Sequence, residues 1–335
     1  MTDSVRIGFI GCGAFATQAI WPSLRYAPVE IGYAYSRGLD KARAVARRFG
    51  AENATDSLDE VFADDTVRAV FVVGPAAMQH EVTLRALAAG KHVFVEKPPA
   101  PSLEQALEIQ RAADLHDRQV QVGFQKRFAT AYRLAREEAG KPDFGGVRLA
   151  KVNYSHWRVR DWNHHLHIMS VHAIDLIRFL LGDPAEAYVL KRSDPQGRNT
   201  CVLTLLYEDG ASAIVNMSAN DPHVQEWIEL SGANQLISVR NLTEYRRWAE
   251  GAEVAQTLPV NPAAVTLWHP EYAIPYQQAD SLWLQGYAGE VVDFVEAVQT
   301  GRPVSPSIAD GVAAMRYVEA IADAPEGMSR LEQKI

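Results

Sequence analysis

Short apolar runs alternate with segments of helical periodicity over the first 124 residues. Five runs have the length of a buried strand: VRIGFIG, VEIGYAY, VRAVFVV, HVFVE and VQVGF. Apolar side chains recur at helical spacing between them, which predicts helices over Leu39–Phe49, Ser57–Phe62 and Gln79–Ala89. Strands that alternate with helices are typical of βαβ units. The pattern therefore predicts an α/β domain with a doubly wound parallel sheet over residues 1–124.

Two serines have the spacing of helix caps in this first domain. Ser57 stands three residues before Glu60, and Ser102 three residues before Gln105. A serine at a helix start accepts a hydrogen bond from a backbone N–H in the first turn, and an acid or amide three residues later bonds back. Both pairs therefore predict a helix start with a reciprocal cap.

The pattern changes over residues 125–335. Helical periodicity predicts four helices there: Thr130–Glu138, Met169–Leu181, Gly289–Thr300 and Ile308–Ile321. Short runs from Ala185 to Trp248 indicate mostly antiparallel strands, and Asp-Gly in YEDGAS marks a turn. We interpret Pro262–Ser281 as a loop. The second domain is therefore predicted to be α+β with a large, open, mostly antiparallel sheet, and its last helices are candidates to pack back on the first domain.

Composition excludes several classes of protein. The chain has 335 residues, two cysteines and a formal net charge of −8. This charge argues against nucleic acid as a partner, because phosphate backbones are bound by clustered lysine and arginine. Cys12 and Cys201 form no metal-ligand or disulfide pattern, which favours a reducing cytoplasm. No signal peptide or membrane span is predicted.

The first strand run ends in a glycine-rich turn, IGFIGCGAFA. Gly11, Gly13 and Ala16 form a G-x-G-x-x-A arrangement between a strand and a helix. The first glycine permits a tight turn, the second lets the backbone approach a pyrophosphate, and the small third residue permits close helix packing. The turn predicts a Rossmann domain that binds a dinucleotide.

The second strand ends without the acid that is typical of an NAD site. Ser36 and Arg37 follow it instead, in YAYSRGLDKA. A carboxylate there bonds the ribose hydroxyls of NAD, whereas a guanidinium matches a 2′-phosphate in charge and geometry. The sequence therefore favours NADP(H) over NAD(H).

Four motifs together carry a family resemblance: GFIGCGAFA, AGKHVFVEKPPAPS, VGFQKRF and HAIDLIRFLLGDP. The chain resembles the Gfo/Idh/MocA oxidoreductases, such as glucose–fructose oxidoreductase and inositol dehydrogenase. The resemblance covers nearly the whole chain. It implies a Rossmann domain, a second domain whose open sheet forms a homodimer or homotetramer interface, and an NAD(P)-dependent reaction on a sugar or cyclitol.

The resemblance also implies roles for particular residues. Lys97 of the Glu-Lys-Pro segment lies near the nicotinamide and the reacting hydroxyl, and His172 is a proton donor or acceptor. Asp175 matches the H-x-x-D pattern of the family. The family often has an aspartate four residues before the histidine, and here that position is Ile168. We predict that the cofactor contacts these residues: Gly11, Gly13, Ala14, Phe15, Ser36, Arg37, Gly74, Pro75, His80, Glu96 and Lys97.

The residue chemistry suits the two catalytic candidates. Lys97 ends a buried strand, at the sheet edge where open α/β folds bind ligands. Its ammonium group can stabilise a developing alkoxide. A histidine titrates near neutral pH and can take or return the hydroxyl proton, so His172 suits that role. Core packing of His172 and a surface position for Lys97 are the alternatives.

The stretch WNHHLHIMSVHAID holds a cluster of histidines that could suggest a metal. Its spacing does not bring ligands to one face, and we predict no metal site. The alternative is a substrate-facing loop in which tryptophan faces and polar groups meet a sugar ring. We assign these residues to substrate binding: Trp157, Asp161, Trp162, His165, His167, Asp175 and Arg127. For Arg127 an interdomain ion pair is an equal explanation, and tryptophan packing is the alternative for the loop.

The function predicted is hydride transfer between NADP(H) and a carbinol or ketone carbon of a sugar, glycoside or cyclitol. Two alternatives remain: a dinucleotide-binding regulator without catalysis, and a glycosidase that oxidises its substrate transiently through a bound cofactor.

Overall fold

The chain forms two compact units. The computed structural model describes residues 4–157, 159, 161–196, 198–250, 263–271 and 280–331. One unit comprises Met1–Gln125 with Gly286–Arg316, and the other Lys126–Gln285 with Tyr317–Ile335. Within the described ranges, no helix is long and apolar enough to cross a bilayer.

A six-stranded parallel sheet forms the centre of the first unit, with the order β3-β2-β1-β4-β5-β6. Its strands are β1 (Val5–Ile10), β2 (Val29–Tyr35), β3 (Asn53–Thr55), β4 (Ala69–Val72), β5 (His92–Glu96) and β6 (Val120–Gly123). The order reverses between β1 and β4. Open α/β sheets bind ligands at such a reversal, beyond the carboxyl ends of the strands. The predicted doubly wound sheet is confirmed.

Five helices follow the strands of this sheet: α1 (Trp21–Ser23), α2 (Leu39–Phe49), α3 (Leu58–Ala63), α4 (Ala76–Ala88) and α5 (Leu103–His116). A π-helical turn, Ala16–Ile20, leads into α1. At the start of α5, Ser102 Oγ accepts a hydrogen bond from the backbone N–H of Gln105, as predicted, and the Ser102 hydroxyl, where the backbone N–H was expected, donates to Gln105 Oε1.

The reciprocal cap predicted at Ser57 is wrong. Ser57 precedes α3, but its side chain makes no capping hydrogen bond. Thr55 replaces it, because its hydroxyl donates to Glu60 Oε2 at 2.6 Å and accepts the Ser57 N–H at 3.0 Å. Residue spacing alone does not show that a neighbouring hydroxyl competes for the same glutamate.

The second unit is built on a nine-stranded sheet with the order β14-β13-β12-β11-β7-β10-β9-β8-β15. Its strands are β7 (Leu149–Ser155), β8 (Glu186–Ser193), β9 (Asn199–Leu206), β10 (Ser212–Asn216), β11 (Gln225–Ser231), β12 (Leu236–Arg240), β13 (Glu244–Glu250), β14 (Ala263–Trp268) and β15 (Gly327–Arg330). Only β7 and β10 pair in parallel among these described strands. The predicted mostly antiparallel sheet is confirmed.

Strand β14 corrects one sequence interpretation. It lies within Pro262–Ser281, which we interpreted as a loop, and pairs with β13 so that Trp268 opposes Tyr245. Its partner strand supplies hydrogen bonds that a local sequence pattern does not reveal. Residues 272–279 of the same segment lie outside the described residues.

Four helices belong wholly to the second unit: α6 (Thr130–Ala139), α7 (Trp162–His165), α8 (Val171–Leu181) and α9 (Ser281–Gln285). A π-helical turn, Leu166–Ser170, joins α7 to α8. Such turns insert an extra residue into a helix and are frequent near functional sites. This turn immediately precedes the helix that carries His172.

Two further helices precede β15: α10 (Tyr287–Thr300) and α11 (Ile308–Asp323). Helix α10 packs into the core of the first unit through Phe294, whose ring meets the rings of Phe71 and Phe94 edge-on at 5.3 and 5.9 Å. On the sheet, Phe9 stacks on Trp21 at 4.1 Å. Burial of these aromatic rings gives a large hydrophobic stabilisation, so the segment from 286 to 316 completes the first unit.

Candidate functional site

The glycine-rich turn after β1 has the geometry that a bound pyrophosphate requires. Gly11 adopts a φ of +132°, and a Cβ there would lie 2.1 Å from the carbonyl oxygen of Val73. A Cβ at Gly13 would meet nothing within 4 Å. The turn therefore permits only glycine at position 11, whereas Gly13 leaves open space beside the backbone. The Trp21 indole N–H donates to the Gly11 carbonyl at 3.0 Å and holds the turn from behind.

A cavity of about 670 Å³ opens at this turn. Six of the predicted cofactor residues line it: Gly11, Gly13, Ser36, Arg37, Gly74 and Pro75. Other lining residues include Tyr35, Lys41, Leu58, Met78, Glu81 and Arg85. The size and the backbone turn at one end suit a dinucleotide, whose phosphates would lie against the turn.

The cavity has a basic end near Arg37. Lys41, in the first turn of α2, lies in the same lining, and sequence reasoning missed it. Arg85 is paired with Asp59 at 2.7 Å, whereas neither Arg37 nor Lys41 forms an ion pair within the part of the chain that is described. Lys41 could have been predicted from its position four residues after Arg37. The chain enters α2 between these two residues, and both side chains reach the same cavity lining.

Five predicted cofactor residues lie outside the cavity lining: Ala14, Phe15, His80, Glu96 and Lys97. Ala14 and Phe15 are exposed, and the Phe15 ring meets Tyr287 edge-on at 5.8 Å. His80 instead bonds Glu108 of α5 through Nε2 at 2.8 Å. Their contact with a cofactor stays a prediction.

The Glu96-Lys97-Pro98 segment is braced from α4. Buried Gln79 donates through Nε2 to the carbonyl oxygens of Glu96 and Pro98, at 2.7 and 2.8 Å, and accepts the Gly74 N–H at 3.0 Å. One amide thus ties the cavity wall to the segment that holds Lys97. Lys97 is half-buried, and its backbone N–H donates to Glu96 Oε2 at 3.0 Å.

A cluster of aromatic and imidazole rings surrounds His172 in the second unit. The His172 side chain is 4% exposed, and its ring meets that of Tyr154 at 6.0 Å. Tyr154 meets His156 at 5.0 Å, and His156 meets His165 at 4.7 Å. We call these four residues, Tyr154, His156, His165 and His172, the imidazole cluster.

The two predicted tryptophans border the imidazole cluster. Trp162 stacks on His165 at 5.5 Å, and Trp157, which is 53% exposed, lies 5.6 Å from His156. Sequence reasoning missed Tyr154 and His156. Their signal was the spacing of two at the end of β7, which turns two side chains to the same face of a strand.

Burial favours the neutral form of His156 and His165. Burial above all, together with the nearby His156 and His164, lowers the pKa of His165 to about 4. Burial also lowers the pKa of His156, against the opposing effect of Glu226. The Nε2 atoms of His156 and His165 are buried and have no hydrogen-bond partner among the described residues. Neutral imidazoles with such nitrogens can accept or donate a hydrogen bond to a hydroxyl group.

An ion pair supports the cluster from one side. Lys126 Nζ lies 2.6 Å from both carboxylate oxygens of Glu226, and Tyr132 donates its hydroxyl to the same carboxylate at 2.8 Å. The ammonium group also lies 5.2 Å from the centre of the Tyr154 ring. Sequence reasoning did not select any of these residues.

Arg127 and Asp175 form a buried ion pair. The guanidinium donates to the carboxylate over distances of 2.6 to 3.1 Å, and Asp175 is fully buried. Both residues belong to the second unit, so the pair is not an interdomain contact. Each of these side chains is bonded to the other. A substrate role for either residue stays a prediction.

Two other predicted substrate residues stabilise the local helix. Asp161 caps α7 by accepting the His164 N–H at 3.0 Å. His167 Nδ1 lies 2.8 Å from the Asn163 carbonyl oxygen, and Ile168 is half-buried in the π-helical turn. Across the described ranges, no group of three or more histidine, cysteine or acidic residues is arranged to hold a metal ion. The assignment of these residues to substrate stays a prediction.

Two family models match the chain. Residues 5–124 match the oxidoreductase family with an NAD-binding Rossmann fold, and residues 132–238 match the GFO/IDH/MocA C-terminal domain.

Characterised proteins resemble the chain over most of its length. A 1,5-anhydro-D-fructose reductase from Ensifer adhaerens is 26% identical over 92% of this chain and 98% of its own. An inositol 2-dehydrogenase from Acidothermus cellulolyticus is 27% identical over 96% of this chain and 92% of its own. A levoglucosan dehydrogenase, solved with NADH and levoglucosan, has a TM-score of 0.80 and 20% identity over 99% and 100% of the two chains. This last likeness shows the shared fold.

Proposed function

Because the chain belongs to the Gfo/Idh/MocA family and is therefore an NAD(P)-dependent oxidoreductase, we propose that it uses NADP(H) to oxidise or reduce a sugar, glycoside or cyclitol. The reacting carbon bears a hydroxyl group in one direction and is a ketone in the other. The observation that carries the proposal is the cavity beyond β1, whose lining includes both the glycine-rich turn and two basic residues, Arg37 and Lys41, that form no ion pair with any described residue.

The basic end supports NADP(H) as the cofactor. Arg37 and Lys41 both line the cavity, and no acid stands at the end of β2 to bond a ribose diol. A 2′-phosphate carries about two negative charges near neutral pH, and a guanidinium can bind it through two parallel hydrogen bonds. Ser36 supplies a hydroxyl in the same place.

The imidazole cluster and the neighbouring Trp157 support a polyhydroxylated substrate. Trp157 presents an exposed face, and His156 and His165 offer buried nitrogens that are neutral at physiological pH. Aromatic faces pack against the C–H faces of a sugar ring, and neutral imidazoles bond its hydroxyls without requiring an ionic group. The two relatives named above act, by their names, on a sugar derivative and on a cyclitol.

His165 is our candidate for the role of the aspartate that this chain lacks at Ile168. Asp161 already caps α7, and His167 already bonds a carbonyl oxygen. His165 belongs to the imidazole cluster and is linked to His172 through His156 and Tyr154. It would orient the substrate by a hydrogen bond instead of by charge.

The proposed chemistry assigns separate roles to Lys97 and His172. The nicotinamide, when bound, supplies or accepts the hydride. In the oxidation direction, His172 takes the hydroxyl proton and the Lys97 ammonium group stabilises the developing alkoxide. In reduction, His172 returns the proton to the forming hydroxyl. Buried surroundings make such electrostatic stabilisation stronger than it is in water.

We further propose that the chain forms a homodimer or homotetramer through the open face of the nine-stranded sheet. The strand register puts Ile214, Lys151, Glu229, Arg246 and Leu267 in one row across that face. Ile214 and Leu267 are 41% and 53% exposed, and Lys151 pairs with Glu229 at 3.3 Å. Apolar side chains stand at both ends of this row and charged side chains between them, so the face offers both the apolar area and the ion-pairing groups that protein interfaces use.

Light scattering tests the assembly. Ile214→Glu with Leu267→Glu should reduce the molar mass to that of a monomer. Leu115→Glu, at a 79% exposed apolar residue on α5, is the matched control and should leave the mass unchanged. A monomeric unmodified chain would contradict the proposal.

Cofactor absorbance tests the reaction. The protein is mixed with NADP⁺ or NAD⁺ and a panel of sugars and cyclitols, and with NADPH or NADH and the matching keto compounds. We expect turnover with members of the panel and a preference for NADP(H). Cofactor binding without any absorbance change would favour a regulator, and bond cleavage without net cofactor change would favour a glycosidase.

Replacement of Arg37 tests the cofactor assignment. Arg37→Ala should weaken NADP(H) binding by about 1–3 kcal/mol and leave NAD(H) binding nearly unchanged, because only the 2′-phosphate contact is lost. Arg47→Ala, on the exposed side of α2 and outside the cavity lining, is the matched control. Equal losses for both cofactors in a calorimetric titration would refute the 2′-phosphate role.

A further inference from the structure

Three buried side chains near the Lys97 segment carry four oxygen acceptors without a hydrogen-bond partner among the described residues. Glu290 of α10 is fully buried, and neither of its carboxylate oxygens has a hydrogen-bond partner among the described residues. Glu96 Oε1 and Gln121 Oε1 are also buried and, within the same ranges, without a partner. Gln121 Nε2 donates to the Glu290 backbone carbonyl at 2.9 Å, which ties β6 to α10 at this point.

Buried acceptors without donors are costly unless a hydrogen atom lies between them. An unpaired ionised carboxylate in a low-dielectric interior costs several kcal/mol, and proteins avoid that cost by protonating the group. Two carboxylates that share a site cannot both ionise readily, as in carboxylate pairs that hold one proton between them. A carboxylic acid O–H would supply a donor to this group of acceptors.

The charges around the pair identify which carboxyl group is protonated. Burial raises the pKa of Glu290 well above its usual range, and the nearby Glu96 raises it further, against the opposing effect of Lys97. Burial also raises the pKa of Glu96, but Lys97 opposes this both by charge and by its N–H donated to Oε2. Gln121 on β6 is neutral. Glu96 is therefore the better carboxylate, and Glu290 the better acid.

We propose that Glu290 is a positioning residue that stays protonated at neutral pH and donates its O–H to the buried oxygen acceptors of Glu96 and Gln121. Only one negative charge, that of Glu96, then remains beside Lys97. This rests on the proposed function for the role of Lys97, but the protonation itself does not. One carboxylate and one ammonium group balance in charge. Lys97 then keeps the ammonium form that stabilises an alkoxide, while the interior avoids a second buried charge.

Protonation of Glu290 makes stability fall as the pH rises. The group has a raised pKa in the folded protein and an ordinary value near 4.5 when unfolded. Its stabilising contribution is complete below about pH 4.5 and is lost as the pH rises toward the folded value. In that window unfolding releases a proton, so the unfolding constant should rise by about tenfold per pH unit.

Glu290→Gln tests this directly, because glutamine is a neutral side chain of the same shape as the protonated acid. Denaturant unfolding is measured from roughly pH 5 to pH 8 in the wild-type protein and in the variant. We expect the logarithm of the unfolding constant to rise less steeply with pH in the variant, by about one unit per pH unit. An unchanged slope overturns the proposal, as does a variant that fails to fold.

Infrared difference spectroscopy gives an independent reading. The wild-type protein at neutral pH should show the carbonyl stretch of a buried carboxylic acid, which Glu290→Gln should abolish and Glu96→Gln should retain. Absence of the band in the wild-type protein overturns the proposal. Neither measurement requires turnover.

The link to Lys97 is tested by the pH dependence of hydride transfer. Glu96→Gln removes the single negative charge, so the alkaline limb of the profile should move to lower pH as Lys97 loses its proton more easily. Glu290→Ala should lower the rate, and Glu290→Gln should restore the wild-type profile. A shift in Glu290→Gln equal to that in Glu96→Gln would overturn the proposal. If Lys97→Met leaves hydride transfer unchanged while the band and slope results hold, the proposed function fails and the protonation stands.

Discussion

Replacement of Asp175 by asparagine should strongly destabilise the second unit. The substitution keeps the shape of the side chain but leaves the Arg127 guanidinium, which is 8% exposed, without its buried counter-charge. Removal of one partner from a buried ion pair costs about 3–5 kcal/mol. In a domain of roughly 150–250 residues, 1 kcal/mol lowers Tm by about 2–4 °C, so we expect a fall of about 6–20 °C.

A second ion pair on the same helix supplies the control. Arg178 Nε lies 2.6 Å from Asp183 Oδ1, a distance like that of the buried pair, but the Asp183 side chain is 68% exposed. Exposed pairs contribute about 0–1 kcal/mol, so Asp183→Asn should cost no more than that. The double variant Arg127→Met with Asp175→Leu should regain most of the stability lost in Asp175→Asn, because no charge is left buried.

Calorimetry and steady-state kinetics on the same variants distinguish structure from substrate binding. If Asp175 acts through the ion pair, Tm falls and KM at low temperature stays close to the wild-type value. Equal Tm values for Asp175→Asn and Asp183→Asn would refute the reasoning from burial. A raised KM with an unchanged Tm would instead support the substrate contact predicted from the sequence.

Two further predictions concern residues of the proposed site, Lys97 and His165. Lys97→Met should slow single-turnover hydride transfer by about 10²- to 10⁴-fold, the usual effect of one charge-stabilising group, and leave cofactor affinity intact; an unchanged rate would refute its role. Burial lowers the pKa of His165 to about 4 from its usual 6.5, so the unfolded chain binds a proton between these values that the folded chain does not. The contribution of His165 to the free energy of unfolding is therefore complete above pH 6.5 and is lost as the pH falls toward 4. His165→Asn should reduce this acid-induced loss in denaturant titrations whereas exposed His164→Asn should not, and equal profiles would contradict burial as the cause.

The sequence predicted elements whose signals are local. Helix α2 has the predicted bounds, Leu39–Phe49, because its apolar periodicity ends at a glycine. The turn at Gly11 was also predicted, because the need for a positive φ and close approach selects glycine whatever the rest of the chain does. Strand β14 was missed since its pairing with β13 depends on residues distant in the chain.

The site could be predicted only where one residue type implies one chemistry. Arg37 was found from its charge at the end of β2, and the structure adds Lys41 to the same cavity lining. His156 was missed, because its spacing of two from Tyr154 is a weak signal until the fold places His165 beside it. Glu290 was missed for a similar reason, since full burial of a glutamate on an apolar helix is visible only in three dimensions.

Isotope transfer tests the central claim most directly. A substrate from the panel is labelled with deuterium at the carbon that bears the reacting hydroxyl, and the reduced cofactor is analysed by mass spectrometry after turnover with NADP⁺. We predict that the NADPH formed carries one deuterium per molecule and that the sugar or cyclitol product has lost it. Retention of deuterium in the product, or reduced cofactor without the label, would contradict net hydride transfer from this carbon.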